Sequence, residues 1–268
     1  MMRGLQAWIR TAPDVPALAS LGVREPGDFL GASWDSIPGT TLARGEGVGL
    51  RDGVEEIRYP LPGTPDESGR LRERPMGAGT GWLRLFRWSR GGPRLWRARF
   101  SAPRSTSLAE HAWNVMCHAQ AAGVGVPELV AVGAAGRGLV ARESFLITRE
   151  PDRSIPLPEW VEWPRDEGMT ERGLRSLAAA AERLAAAGVS LAQLEPGDVW
   201  IERPRAGCGE VVPAAAERNR LPGVLITRFT GARLVGAGDA RVRRAALEVM
   251  DRALGDGAVS RAAAQLTS

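Results

Sequence analysis

Lysine is absent from this chain of 268 residues: all 35 of its basic side chains are arginine. Asparagine is nearly absent too, at Asn114 and Asn219 only, while Ala, Gly and Arg recur throughout, so a general compositional bias explains the pattern. The chemical consequence stands whatever the cause. Every cationic role falls to a guanidinium, which is longer and forked and does not replace an ammonium conservatively. Two cysteines, Cys117 and Cys208, are too few and too far apart for a disulfide framework. With His111 and His118 as the only histidines, no metal-ligand cluster is spelled out, and structural zinc, serine-triad and thiol–histidine chemistry all lack partners. The two histidines lie seven apart on one predicted helix, as core or surface residues rather than ligands. Charge interrupts every apolar run well short of the roughly 18 residues that a membrane-spanning helix needs. The apolar stretch within Met1–Arg10 is too short for a secretory signal, and a cytoplasmic protein is expected.

What is present is a basic chain, with a formal charge of +4, and enough apolar residues (44%) to bury a substantial core. Arg84, Arg87, Arg90, Arg94, Arg97 and Arg99 crowd one predicted hairpin, interleaved with Trp82, Trp88 and Trp96. Such a surface suits a polyanion, either an anionic lipid headgroup or a nucleic-acid strand. Strict alternation instead separates Arg97 and Arg99 from Trp96 and Ala98, which describes a solvated strand face opposite a packed one and disfavours nucleic acid.

Residues 1–75 form a Gly/Pro-rich extension, with turn signals at Pro26-Gly27, Pro38-Gly39, Asp52-Gly53 and Pro62-Gly63 and strand candidates at 47–50 and 55–59. A small β-rich lobe with one helix is predicted over 76–150 and a reduced, mainly helical lobe over 151–268. In the first, Gly77, Gly79 and Gly81 precede a strand at Trp82–Trp88, where glycines let backbone amides approach phosphate oxygens. Ser107 and Glu110 read as a capping box that opens a helix, and Gly123 closes it. An apolar strand over 145–148 leads out of this lobe. In the second lobe, Leu174, Leu177, Ala181 and Leu184 recur at helical spacing within 170–187. Two short helices, 239–254 and 259–266, end the chain, and 204–222 reads as a loop between two strands.

The chemistry-bearing segments are Gln193-Leu194-Glu195-Pro196-Gly197-Asp198-Val199-Trp200-Ile201 and Leu225-Ile226-Thr227-Arg228-Phe229-Thr230-Gly231. The first has the layout of a kinase catalytic loop, in which an Asp precedes an Asn by five residues and an apolar strand follows. The second matches the strand-to-loop layout of the metal-binding D-F-G segment. Taken with the hairpin from Trp82 to Phe100, the segment Glu110 to Gly133, the strand Ser144–Glu150 and the stretch Arg241–Leu254, they resemble the lipopolysaccharide core kinase family, the heptose and Kdo kinases.

That resemblance, over roughly residues 80–260, implies an α+β, protein-kinase-like fold of two lobes. It also implies ATP and Mg2+ as cofactors and phosphorylation of a sugar hydroxyl on a lipid-linked glycan at the inner face of a membrane. It aligns Gln193 with the catalytic base, and a carboxamide has no useful basicity. Asp198 takes the magnesium-ligand position. Arg228 falls on the D-F-G aspartate, with Thr227 there in a register one residue earlier. The phosphate-gripping lysine aligns with Ala98, or with Arg97 or Arg99 after a register shift. The expectation is a degenerate kinase that binds or regulates beside an active kinase or another lipopolysaccharide-assembly protein, peripheral at the inner membrane. Two alternatives are an atypical sugar kinase that uses Asp198 or Glu195, and a basic membrane-surface or nucleic-acid binder.

Overall fold

The computed structural model describes residues 5–9, 46–51, 54–60, 82–88, 107–135, 144–151, 154–163, 166–202, 222–255 and 257–266. They divide into two units, the first built from residues 1–114 and 127–152 and the second from 115–126 and 153–268.

The first unit is organised by a six-stranded antiparallel sheet. Its strands are β1 (Leu5–Ile9), β2 (Glu46–Arg51), β3 (Val54–Pro60), β4 (Trp82–Trp88), β5 (Glu128–Ala135) and β6 (Ser144–Arg149), in the order β1-β5-β6-β4-β3-β2. Three of them therefore come from the segment read as an extension, and β2 and β3 coincide with the strand candidates seen in the sequence. β6 is an apolar run buried on both faces, as a central strand must be. The solvated face expected at Arg97 and Arg99 lies outside the described residues, and β4 itself is buried on both sides. Leu83 and Leu85 are buried on one face of β4, and Arg84, Phe86 and Trp88 are buried on the other.

Helix α1 (Leu108–Ala121) begins as its sequence foretells. The Ser107 amide donates to Glu110 Oε2 at 2.6 Å and the Glu110 amide donates to Ser107 Oγ at 3.1 Å, so each end of the box satisfies the other. Glu110 is thus engaged as a cap. Ser144 Oγ on β6 accepts from the Ala109 amide at 3.4 Å, which ties the helix start to the sheet.

In the second unit the main helix is α3 (Glu167–Ala186), preceded by the short α2 (Leu157–Glu162). Asp166 caps α3 by accepting from the Met169 amide at 2.6 Å. Leu177, Ala181 and Leu184 bury the predicted stripe. Gly173 on α3 is required by a close approach: a Cβ there would lie 2.3 Å from Cζ2 of Trp160, whose ring packs against the helix backbone. The terminal helices α4 (Ala240–Leu254) and α5 (Ala258–Leu266) pack on α3. Asp239 caps α4 through the Arg241 amide at 2.8 Å, and Asp251 receives the Val259 amide at 2.8 Å at the start of α5.

Two small sheets complete this unit: β10 (Val224–Ile226), β9 (Val199–Glu202) and β7 (Ser154–Pro156) in one, and β11 (Ala232–Leu234) with β8 (Val189–Leu191) in the other. The second half of α1 and the chain after it, residues 115–126, also belong here. The Gly125 carbonyl accepts from the Ile226 amide at 2.8 Å, the Ala187 carbonyl accepts from His118 Nε2 at 2.9 Å, and the Gly123 carbonyl accepts from Arg183 Nη1 at 3.3 Å. Among the described residues no helix is long and apolar enough to cross a membrane.

Candidate functional site

The segment that resembles a catalytic loop runs from β8 to β9 in the second unit. After β8 the chain turns, with the Leu194 amide bonded to the Leu191 carbonyl at 3.2 Å, and then makes a single 3-10 turn over Pro196–Asp198. Proline at the first position of that turn lacks an amide that would have had no partner there. Asp198 is buried, and its Oδ2 accepts from the Glu195 amide at 3.0 Å, while the Glu195 side chain accepts from the Asp198 amide. The two carboxylates thus form a reciprocal box across a three-residue turn. Trp200 Nε1 donates to the Gly197 carbonyl at 2.9 Å and closes the outer side.

Antiparallel pairing of β9 with β10 brings the second candidate segment alongside. Ile226 is opposite Val199, and the next residue, Thr227, donates twice to the Asp198 carbonyl, from its amide at 2.8 Å and from Oγ1 at 3.1 Å. Thr227, Arg228, Phe229 and Thr230 are all buried. Arg228 Nε donates to Thr230 Oγ1 at 2.8 Å, so a neighbouring hydroxyl holds the guanidinium. Gly231 then turns the chain with φ +77°, a left-handed conformation that only glycine adopts without strain. Gln193 Oε1 lies 3.0 Å from the place where a Cβ on that glycine would sit, so its carboxamide covers the turn.

The folded chain therefore gathers Gln193, Asp198 and the Thr227–Gly231 segment, residues up to 38 apart in sequence, around the ends of β9 and β10. The cluster can donate hydrogen bonds and present positive charge; its one described carboxylate pair is spent at least in part on its own turn. Gly77, Gly79, Gly81, Arg97, Ala98 and Arg99 lie outside the described residues. Sequence patterns did not reveal the hydroxyl of Thr227, which ties the two segments together, or that of Thr230, which holds Arg228. Their signal was a polar residue inside an otherwise apolar strand-to-loop run, which reads as a loop start until pairing places it.

A second polar cluster, also unforeseen, lies within the first unit: Arg58, Glu56, Arg84 and Glu150. Arg58 donates from Nε and Nη2 to the two carboxylate oxygens of Glu150 at 2.7 and 2.6 Å, and Arg84 Nε donates to Glu56 Oε1 at 2.8 Å.

Comparison with known proteins bears on the fold and the family. A solved structure described as WaaP in complex with acyl carrier protein superposes with a TM-score of 0.53 at 14% identity, covering 83% of this chain and 79% of that one. At that identity the likeness speaks for the fold, and the fold is α+β and protein-kinase-like. No curated protein matches the sequence. The model of the lipopolysaccharide kinase (Kdo/WaaP) family matches residues 74–210, just over half of the chain. With the fold and a family model of that extent in agreement, the chain belongs to the lipopolysaccharide kinase (Kdo/WaaP) family.

Proposed function

We propose that this member of the family has lost phosphoryl transfer and works as a binding or regulatory module. The observation that carries this is the make-up of the loop cluster: a carboxamide, Gln193, at the base position, and a buried Arg228 bonded to Thr230 where the family layout has a metal-binding aspartate. Transfer of a phosphoryl group rests on positioning and electrostatic stabilisation, so loss of base and metal ligand together removes most of the machinery.

The family implies ATP and magnesium. Magnesium seeks several oxygen ligands in near-octahedral array. Asp198 already accepts from the Glu195 amide, and among the described residues no group of three His, Cys, Asp or Glu side chains is placed to hold a metal. The donor set of the described residues does not fit a magnesium-held polyphosphate of the usual kind.

The partner we infer is a protein of the same assembly system, either an active family kinase or another lipopolysaccharide-assembly protein. The related WaaP was itself solved with a protein, acyl carrier protein. A net charge of +4 suits work at an anionic inner-membrane surface from the cytoplasmic side.

The test is thermal unfolding of the purified protein with ATP, with and without magnesium, since a ligand that binds only the folded state raises the midpoint by mass action. No shift at millimolar ATP is expected. A magnesium-dependent rise, followed by sugar phosphorylation that Asp198→Ala abolishes, would replace this conclusion with an atypical sugar kinase built on the Asp198 and Glu195 carboxylates.

A further inference from the structure

In the second unit, the segment that leads from β11 into α4 is seated on the turn that ends α3. The Val235 amide donates to the Gly188 carbonyl at 2.7 Å, and the Gly238 amide donates to the Ala185 carbonyl at 2.7 Å. Gly188 has φ +63°, and a Cβ there would lie 2.4 Å from the Val235 carbonyl oxygen, so this approach needs glycine. The backbone of the segment is thus held from below while its outer side stays open.

That outer side is apolar. Leu234 is 52% and Val235 39% exposed, and Gly236, Ala237 and Gly238 after them are exposed too, so five successive residues present no polar side chain to solvent. Among the described residues the other exposed large apolar side chains are Trp163 and Leu266, each distant in sequence from the rest. Apolar residues scattered singly over a surface need no explanation, whereas a contiguous run rimmed by polar groups marks an interaction site.

The rim here is cationic. Arg233 precedes the run, and Arg241 and Arg244 follow it one turn apart on α4; all three are exposed. Arg243, between the last two, pairs with Glu182 on α3, but Arg233, Arg241 and Arg244 make no ion pair among the described residues. Asp239 is the sole acidic residue from 233 to 247, and its Oδ1 is engaged by the Arg241 amide. The next acid, Glu248, lies one turn beyond Arg244. An acidic protein surface would match these arginines and set Leu234 and Val235 against charge. An apolar groove would match the pair and strand the arginines. An anionic bilayer matches both, because apolar side chains enter the boundary between headgroups and acyl chains while long arginine stems reach the phosphates.

We propose that residues 233–238 and the start of α4 form the surface by which this chain contacts a bilayer of anionic phospholipid, with Leu234 and Val235 entering the interface and Arg233, Arg241 and Arg244 binding phosphate. This rests on the reading that the chain works at an anionic membrane surface, and it names the face that does so. It calls on neither Gln193 nor Asp198.

The experiment is sedimentation of the full chain with vesicles of phosphatidylcholine alone or of phosphatidylcholine and phosphatidylglycerol in equal parts. The wild type is expected to bind the anionic vesicles, less so as salt rises, and to leave the neutral ones. Leu234→Ser with Val235→Ser is expected to weaken anionic-vesicle binding at least about tenfold at unchanged charge, since binding scales with the apolar area inserted. Arg233→Gln, Arg241→Gln and Arg244→Gln together should weaken it roughly a hundredfold, at about fivefold for each charge near the surface. Both variants should keep the wild-type thermal midpoint; should the serine pair disturb the seat on Gly188, Leu234→Ser alone carries the same expectation. Vesicle binding by the wild type that neither variant weakens would overturn this surface and leave the membrane reading standing. Binding weakened by the arginine variant but untouched by the serine pair would overturn the bilayer contact in favour of an acidic protein. A wild type that ignores anionic vesicles would sink the surface and the membrane reading together, while sugar phosphorylation by the wild type would sink only the loss of transfer.

Discussion

The buried polar cluster of the first unit draws its partners from far along the chain, and the loop cluster of the second draws its own from next door. Arg84 bonds to Glu56 across 28 residues and Arg58 to Glu150 across 92, whereas Asp198 bonds three residues back to Glu195 and Arg228 two residues on to Thr230. The first cluster exists only when three strands are in register. The second is built mostly from local turns that a strand pairing then joins. Both use their polar groups internally, but the long-range cluster must be the more fragile, since its members are left buried and uncompensated when one is removed.

That contrast can be broken by substitution. The largest effect is expected from Arg84→Met, which strands Glu56 in the sheet and should cost roughly 3–5 kcal/mol in urea unfolding. The double variant Glu56→Met with Arg84→Met should recover most of that loss, because an apolar pair of similar volume replaces the ion pair. If the double variant were as unstable as the single one, the pair would not be the cause. Gly231→Ala comes next: its φ of +77° and the approach of Gln193 Oε1 predict a loss of about 1–3 kcal/mol, partly relieved by Gln193→Ala in the same chain. Ser107→Ala removes half of a capping box and should cost about 1 kcal/mol, whereas Ser107→Asp should be nearly neutral. Smallest is Arg175→Ala, which breaks an exposed i,i+4 pair with Glu171 on α3 and should move stability by no more than about 0.5 kcal/mol, vanishing in high salt.

The same contrast explains what could be read from the sequence. Ser107 with Glu110 is a local pattern, and it folds as the box it spells. The helical stripe through Leu177, Ala181 and Leu184 and the strands over 46–51 and 54–60 were legible because periodicity is local as well. The spacing of the segments around Gln193, Asp198 and Arg228 suggested a family, and that family is the family of this chain. The burial of Arg84 was not foreseen. Alternation along one strand says which residues share a face, yet whether that face meets water depends on what covers it, and the covering residues lie tens of positions away. The lysine position read at 97–99 lies outside the described residues. The hydroxyl of Thr227 was missed because its acceptor, the Asp198 carbonyl, is a backbone atom that no residue pattern announces.

The short stretch around Gly125 has a practical bearing on how this protein can be taken apart. Residues 115–126 belong to the second unit although the chain on either side of them belongs to the first, and they are fastened there by the bonds of His118 to Ala187, Arg183 to Gly123 and Ile226 to Gly125. A Cβ on Gly125 would sit 2.1 Å from the Val224 carbonyl oxygen, so that seat accepts glycine alone. A truncated protein starting near Arg153 would carry the whole catalytic-type loop and still lack this piece of its own unit. Limited proteolysis should therefore fail to release a stable C-terminal fragment, and a partner screen that uses such a fragment as bait would be fishing with an incomplete domain.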